Sequence, residues 1–154
     1  SVVSVVASGT TTGLGSGNAA LAAMLTVSPA SIDADSGDTN NLSWAFNAAS
    51  EAFDYLDDGE SLTLTYTVRA TDDSAAADDQ TVVITINGSN DGPLITVGGG
   101  DSAAESLAET NATLSVNGTL TVVDVDLSDS VTPSVVSVVA TSLPARSFQL
   151  DVTV

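Results

Sequence analysis

No cysteine, histidine or lysine occurs among the 154 residues, and arginine occurs only as Arg69 and Arg146. Without thiols there is no disulfide framework. Without His or Cys there is no imidazole base, no thiolate nucleophile and no zinc site of the usual kind. Without Lys there is no Schiff base and no P-loop lysine. A sugar cleft normally needs aromatic platforms, and the one Trp and two Tyr sit in core-like patterns, so a paired-carboxylate glycosidase is not expected either. The chain is read as a non-enzyme with no catalytic residue. No apolar run approaches the ~20 residues of a membrane-spanning helix. Ser1 opens directly on a strand-like pattern with no signal-peptide signature, so the expectation is a mature product or an excised piece.

Acidic side chains dominate instead. Twenty Asp and Glu against two Arg give a net charge of −18. A surface of that sign repels phosphate backbones and anionic lipid, so neither nucleic acid nor membrane insertion is expected. The hydrophobic fraction of 43% is too high for a chain disordered by its charge. Much of it is Ala and Val, which predicts a core of small side chains. The length suits one domain with a core, or one and a fraction.

The clearest pattern lies between Glu60 and Val97. Leu62, Leu64, Tyr66 and Val68 alternate with Thr63, Thr65, Thr67 and Arg69, a period of two with one apolar face. After the acidic loop Asp72 to Asp79, Val82, Ile84 and Ile86 repeat the alternation, and Asn90-Asp91-Gly92-Pro93 reads as an exit linker. An antiparallel pair within a β-sandwich is predicted. Val2 to Ser8, Thr26 to Ile32 and Asn41 to Asn47 read as further strands, with Leu42, Trp44 and Phe46 sharing parity as an aromatic core face. Asn18 to Leu25 reads as a short helix that Asn18 can cap, and Ser50 to Leu56 as a one-turn helix. Beyond Gly98-Gly99-Gly100, Ser106 to Thr110 reads as a short strand. Ala112 to Val116 and Thr119 to Val125 read as a hairpin turned at Asn117-Gly118. The fold class expected is all-β, with one or two short helices.

Two stretches carry a family resemblance. LSWAFNAASEAFDYLDDGESLTLTYTVRATD from Leu42 and TVVITINGSNDGP from Thr81 closely resemble the VCBS repeats of bacterial surface proteins. These are cadherin-like, Ig-like modules strung in tandem in type I-secreted RTX adhesins. The match covers roughly residues 1–140. It implies a Greek-key β-sandwich, an extracellular or cell-surface location, and a structural role as a calcium-stabilised extender. The chain departs from the family by beginning in the middle of a repeat. Residues 1–97 read as the C-terminal two-thirds of one sandwich, residues 98–142 as the first strands of the next, and residues 143–154 as an unassigned probable strand. Ser134 to Ala140, SVVSVVA, repeats Ser1 to Ala7 and marks the same point of the pattern 133 residues later.

Acidic residues gather at predicted strand ends: Asp33, Asp35 and Asp38; Asp72, Asp73, Asp78 and Asp79; Asn90 and Asp91; Glu105 and Glu109; Asp124, Asp126 and Asp129. Clustered hard oxygen donors on loops suit calcium, which takes six to eight oxygens. They equally suit solvated turns that keep a protein soluble. None is an EF-hand, since Gly37 falls where the Asp33 turn would need its fifth-position ligand. The resemblance implies calcium between modules, with Asp72, Asn90 and Asp91 matching the base and linker positions and Glu109, Asp124 and Asp126 the facing ones. Asp33, Asp35 and Asp38 form a weaker second candidate.

The rival reading from another class is a glycan- or protein-binding module. An exposed aromatic loop would favour it, whereas Trp44, Phe46, Phe53, Tyr55 and Tyr66 sit inside strand or helix patterns. The mid-repeat start also bears on assembly. Within one chain, residues 92–105 would have to run the length of the sandwich, and at ~3.3 Å each they reach only about 45 Å. Strand exchange with a neighbouring copy, head to tail, is therefore expected.

Overall fold

The structure is a computed structural model and describes residues 1–33 and 37–141. Asp35 and the probable strand at 143–154 lie outside the described residues. Among the described residues the chain is built from seven strands, β1 (Val2–Gly9), β2 (Leu25–Ser28), β3 (Ser43–Phe46), β4 (Ser61–Thr71), β5 (Ala77–Asn87), β6 (Leu94–Thr96) and β7 (Thr121–Val123), with one short helix, α1 (Asn18–Ala23). All pairing is antiparallel, in a three-stranded sheet β1-β4-β5 and two two-stranded sheets, β2-β3 and β6-β7.

β4 organises the first unit, as its alternation predicts. Leu62, Leu64, Tyr66 and Val68 all face inward and are buried, whereas the intervening residues are not. β5 pairs with it over its whole length and turns Val82, Ile84 and Ile86 to the same side. β1 covers the other edge through Val5 opposite Tyr66. The β2-β3 layer closes the core through Leu25 and Phe46, whose ring meets Tyr66 edge-on at 6.4 Å. Leu21 brings α1 into the same core, and its carbonyl accepts the Tyr66 hydroxyl at 2.9 Å. A fully buried phenol is thus satisfied.

The two ends of this unit differ. β4 and β5 are 11 residues each, about 35 Å of strand. At the base lie Ser61 and Asn87, and at the far end Thr71 and Ala77. Arg69 and Asp79, cross-strand partners near the far end, form a bidentate exposed ion pair at 2.7 Å. That pair lowers the Asp79 pKa and raises that of Arg69.

Several expectations need correction. Gly17, not Asn18, occupies the N-cap of α1, with no side-chain cap. Residues 50–56 form turns rather than a helix, because Ala49 and Phe53 take left-handed φ values of 54° and 59°. Phe53, Tyr55 and Leu56 nevertheless plug the base of the core. Ser106 to Thr110 is not a strand, and Asn117-Gly118 does not turn a hydrogen-bonded hairpin. Thr121–Val123 pairs with Leu94–Thr96 instead, so the last residues expected in the first repeat pair with the segment expected in the next. Trp44 is not a core residue. It is 53% exposed and Leu42 43%, although Trp44 shares the face of Phe46.

Candidate functional site

The site lies at the base of the β1-β4-β5 sheet, beside the β6-β7 pair. Three pieces of chain converge there. The turn before β4 carries Asp57, whose N–H donates to Glu60 Oε2 at 3.1 Å and whose carbonyl accepts Glu60 N–H at 3.0 Å. The segment after β5 runs directly beside that turn, with Ser89 N–H donating to Leu56 O and Gly88 N–H to Glu60 O, both at 3.0 Å. A Cβ on Gly88 would overlap the carbonyls of Leu56 and Asp57, so only glycine permits this approach. The loop after β7 supplies the third piece, Asp124 to Asp129. Its Leu127, though 59% exposed, lies with the Tyr55 ring against Gly13.

Asp57, Asp126 and Asp129 each offer a carboxylate oxygen, and these oxygens lie within 4.8 Å of one another. Asp126 is 2% exposed. Its Oδ2 accepts the Asp91 N–H at 2.5 Å, and its Oδ1 has no hydrogen-bond partner. Desolvating a carboxylate oxygen without a partner is costly, and native structures rarely tolerate it. The loop is otherwise well satisfied: Asp126 N–H donates to Asp124 Oδ1 at 3.2 Å, and Asp129 N–H to Asp126 O at 3.2 Å. The Asp129 pKa is raised, first by desolvation, then by repulsion from Asp57, then by a proton-requiring hydrogen bond to Asp57, with Asp124 and Asp126 adding further repulsion. Crowded carboxylates beside a buried unpartnered oxygen could hold a metal ion. The donor set is all hard oxygen, which suits a hard divalent cation rather than zinc or copper.

The expected ligands fare unequally. Asp91 and Asp126 meet through a hydrogen bond, and Asp124 braces the Asp126 backbone. Asn90 stands beside them with its side-chain amide on the Asp91 carbonyl at 2.8 Å. Asp72 is not brought to this place. It sits in the β4–β5 turn at the far end, where its carboxylate accepts the N–H groups of Ser74 and Ala76 at 2.9 and 2.8 Å. Glu109 is exposed on a segment without regular structure and does not join the cluster. Asp33 is exposed and lines a cleft at the far end, and Asp38 is also exposed. Among the described residues neither belongs to a metal-sized group of three carboxylates.

Two residues of the cluster were missed as ligands. Asp129 stands three positions after Asp126 in an acidic turn already singled out. Asp57 carried no signal beyond the Asp57-Asp58-Gly59 turn, and only the tertiary approach at Gly88 brings it to Asp126. A separate carboxylate, Asp101, organises the start of the second unit by accepting Gly98 N–H at 2.8 Å and the Thr119 and Thr121 hydroxyls at 2.7 Å each. Those bonds, led by Thr121, lower its pKa.

Comparison with family models, with curated proteins and with solved structures finds no match. Among the described residues no helix is long and apolar enough to cross a membrane.

Proposed function

We propose that the chain is a structural extender from a bacterial extracellular adhesin or surface filament, built of Ig-like, cadherin-like Greek-key sandwich modules. A calcium ion between two successive modules would stiffen it, and copies would join head to tail. The observation that carries this reading is the cluster itself. Asp57 belongs to the first unit, Asp126 and Asp129 to the second, and the buried Asp126 Oδ1 lacks a partner between them. A divalent cation there would be shared by both units, neutralise mutually repelling carboxylates and satisfy that oxygen. With Asp91 holding Asp126, the linker would be fixed along with them. The lack of His, Cys and Lys favours a mechanical role over a chemical one.

Small-angle X-ray scattering tests the extender reading. Calcium should narrow the distribution of intramolecular distances toward one elongated particle, and chelator should broaden it. An identical profile in both would refute calcium stiffening.

The exposure of Trp44 favours the second reading, a glycan- or protein-binding module, since a half-exposed indole can stack on a ligand. In that case Trp44→Ala would abolish binding to a glycan or surface-protein array while leaving the fold intact.

A further inference from the structure

Ser134 to Ala140 repeats the sequence of Ser1 to Ala7, yet the two heptads lie in opposite circumstances. The first is the body of β1, paired antiparallel with β4. There Val5 is buried opposite Tyr66, and Val6 is turned outward opposite Thr65. The second heptad belongs to no strand, and its Val135, Val136, Val138 and Val139 are 81–93% exposed. An uncharged, Val-rich segment with its side chains bare is a strand without a partner. The kind of partner it fits is visible in β4, which holds the identical sequence.

The fit can be followed position by position. At the offset of 133 residues, Val138 stands for Val5, Val139 for Val6 and Ala140 for Ala7, so they would face Tyr66, Thr65 and Leu64 in turn. Ser1 donates its amino group to Arg69 O and accepts Arg69 N–H at its carbonyl, both at 2.8 Å. Ser134 carries the same two backbone groups. The match ends before Gly9, whose φ is 89° and whose Cβ position overlaps the Ser61 carbonyl. Only glycine fits there, and Ser142 stands at the same offset. The second heptad therefore lacks the last rung of the ladder, Gly9 opposite Leu62.

The β4 edge of its own chain is out of reach. The Asp129 carboxylate lies within 4.8 Å of that of Asp57, at the base. The place Ser134 would take is beside Arg69, near the far end. From Ser61 to Arg69 is 69 − 61 = 8 steps of strand, about 27 Å, whereas the 134 − 129 = 5 steps from Asp129 to Ser134 extend to about 17 Å at most.

We propose that Ser134–Ala140 is a second β1, which takes the β4 edge of another copy of the chain in the register that β1 uses there. This inference rests on the head-to-tail reading above and names its contact. The accepting copy releases its own β1, and an identical heptad replaces it, so the core against Tyr66 is kept. β1 is tethered beside β4 and has Gly9, so exchange is the minor state in dilute solution and grows with concentration. Each copy carries a charge of −18, so the contact needs salt to screen it.

The chain has no cysteine, so a Thr65→Cys/Val139→Cys variant carries its only two thiols. In the exchanged strand these face each other on the outward side of the sheet, close enough for a disulfide. An equal mixture of isotopically light and heavy full-length variant is oxidised at rising concentration in physiological salt. Mass spectrometry maps the links, and light scattering follows the wild type in parallel. A 65–139 link joining light to heavy chains should appear and rise with concentration. Adding Val138→Asp changes a side chain that is 93% exposed, so circular dichroism should be unchanged. It would place a carboxylate against Tyr66 in the exchanged strand and should cut the 65–139 link several-fold, while chance 139–139 links persist. A 65–139 link undiminished by Val138→Asp, a link formed within one chain, or assembly of the wild type with no such link overturns this contact and leaves the head-to-tail reading standing. No link and a wild type monomeric at every concentration overturn both.

Discussion

Asp126 is the residue on which the site turns. Its neighbours Asp124 and Asp129 were legible as an acidic turn, because Asp at every second or third position after a Val-rich strand is a loop pattern. Its burial was not legible, since that depends on the linker at Asp91 and the turn at Asp57 meeting it. Asp126→Asn should abolish calcium-dependent stabilisation. In chelator it should melt no lower than the wild type, because it removes a buried charge with an unpartnered oxygen. Calorimetric titration with calcium checks the first point and thermal melts in EDTA the second. Asp129 gives a pH test. Its raised pKa means that its contribution to stability is present below the ordinary carboxylate range and is lost as pH rises through the folded-state value. In EDTA at neutral pH, Asp129→Asn should therefore be more stable than the wild type, and the two should converge on acidification. Asp101 acts in the opposite sense. Its lowered pKa stabilises the fold above the ordinary range, and that contribution is lost as pH falls through the folded-state value. Melting curves of Asp101→Asn across the acid range should diverge from the wild type on raising the pH.

Elements were readable in proportion to their length and regularity. β4 and β5 follow from period-two runs at Leu62–Arg69 and Val82–Asn87, and the structure extends both, carrying β5 back to Ala77 into what reads from sequence as the Asp72–Asp79 loop. Short elements depended on tertiary context. The 50–56 segment has helix-forming residues, but Phe53 must take a left-handed φ to reach the core. β7 follows a good Asn-Gly turn signal, yet pairs with β6 because the linker delivers Leu94 to it. Parity correctly put Trp44 and Phe46 on one face; it could not show that half of that face lacks a cover. Two substitutions probe these joints. Tyr66→Phe removes the hydroxyl that ties β4 to α1 and should cost about 1 kcal/mol, read from urea unfolding. Gly88→Ala would push its Cβ into the Leu56 and Asp57 carbonyls. It should cost about 1–3 kcal/mol and weaken calcium binding, since the displaced turn carries Asp57.

At the scale of the whole molecule, two facts dominate: a charge of −18 and the meeting of carboxylates from the turn before β4 and the loop after β7. Composition made the excess of negative charge visible at once. Which carboxylates gather closely enough to hold a metal ion was hidden, because Asp57 and Asp126 come together only through the fold. A cation bound by the native state alone adds RT ln(1 + [L]/Kd), roughly 2.7 kcal/mol at a hundredfold excess over Kd. The most direct test is the melting temperature of the wild type and Asp126→Asn, each in EDTA and in millimolar calcium at equal ionic strength. A rise of several degrees in the wild type and none in Asp126→Asn is expected; an unchanged wild type, or an equal rise in both, would contradict a calcium ion at this joint.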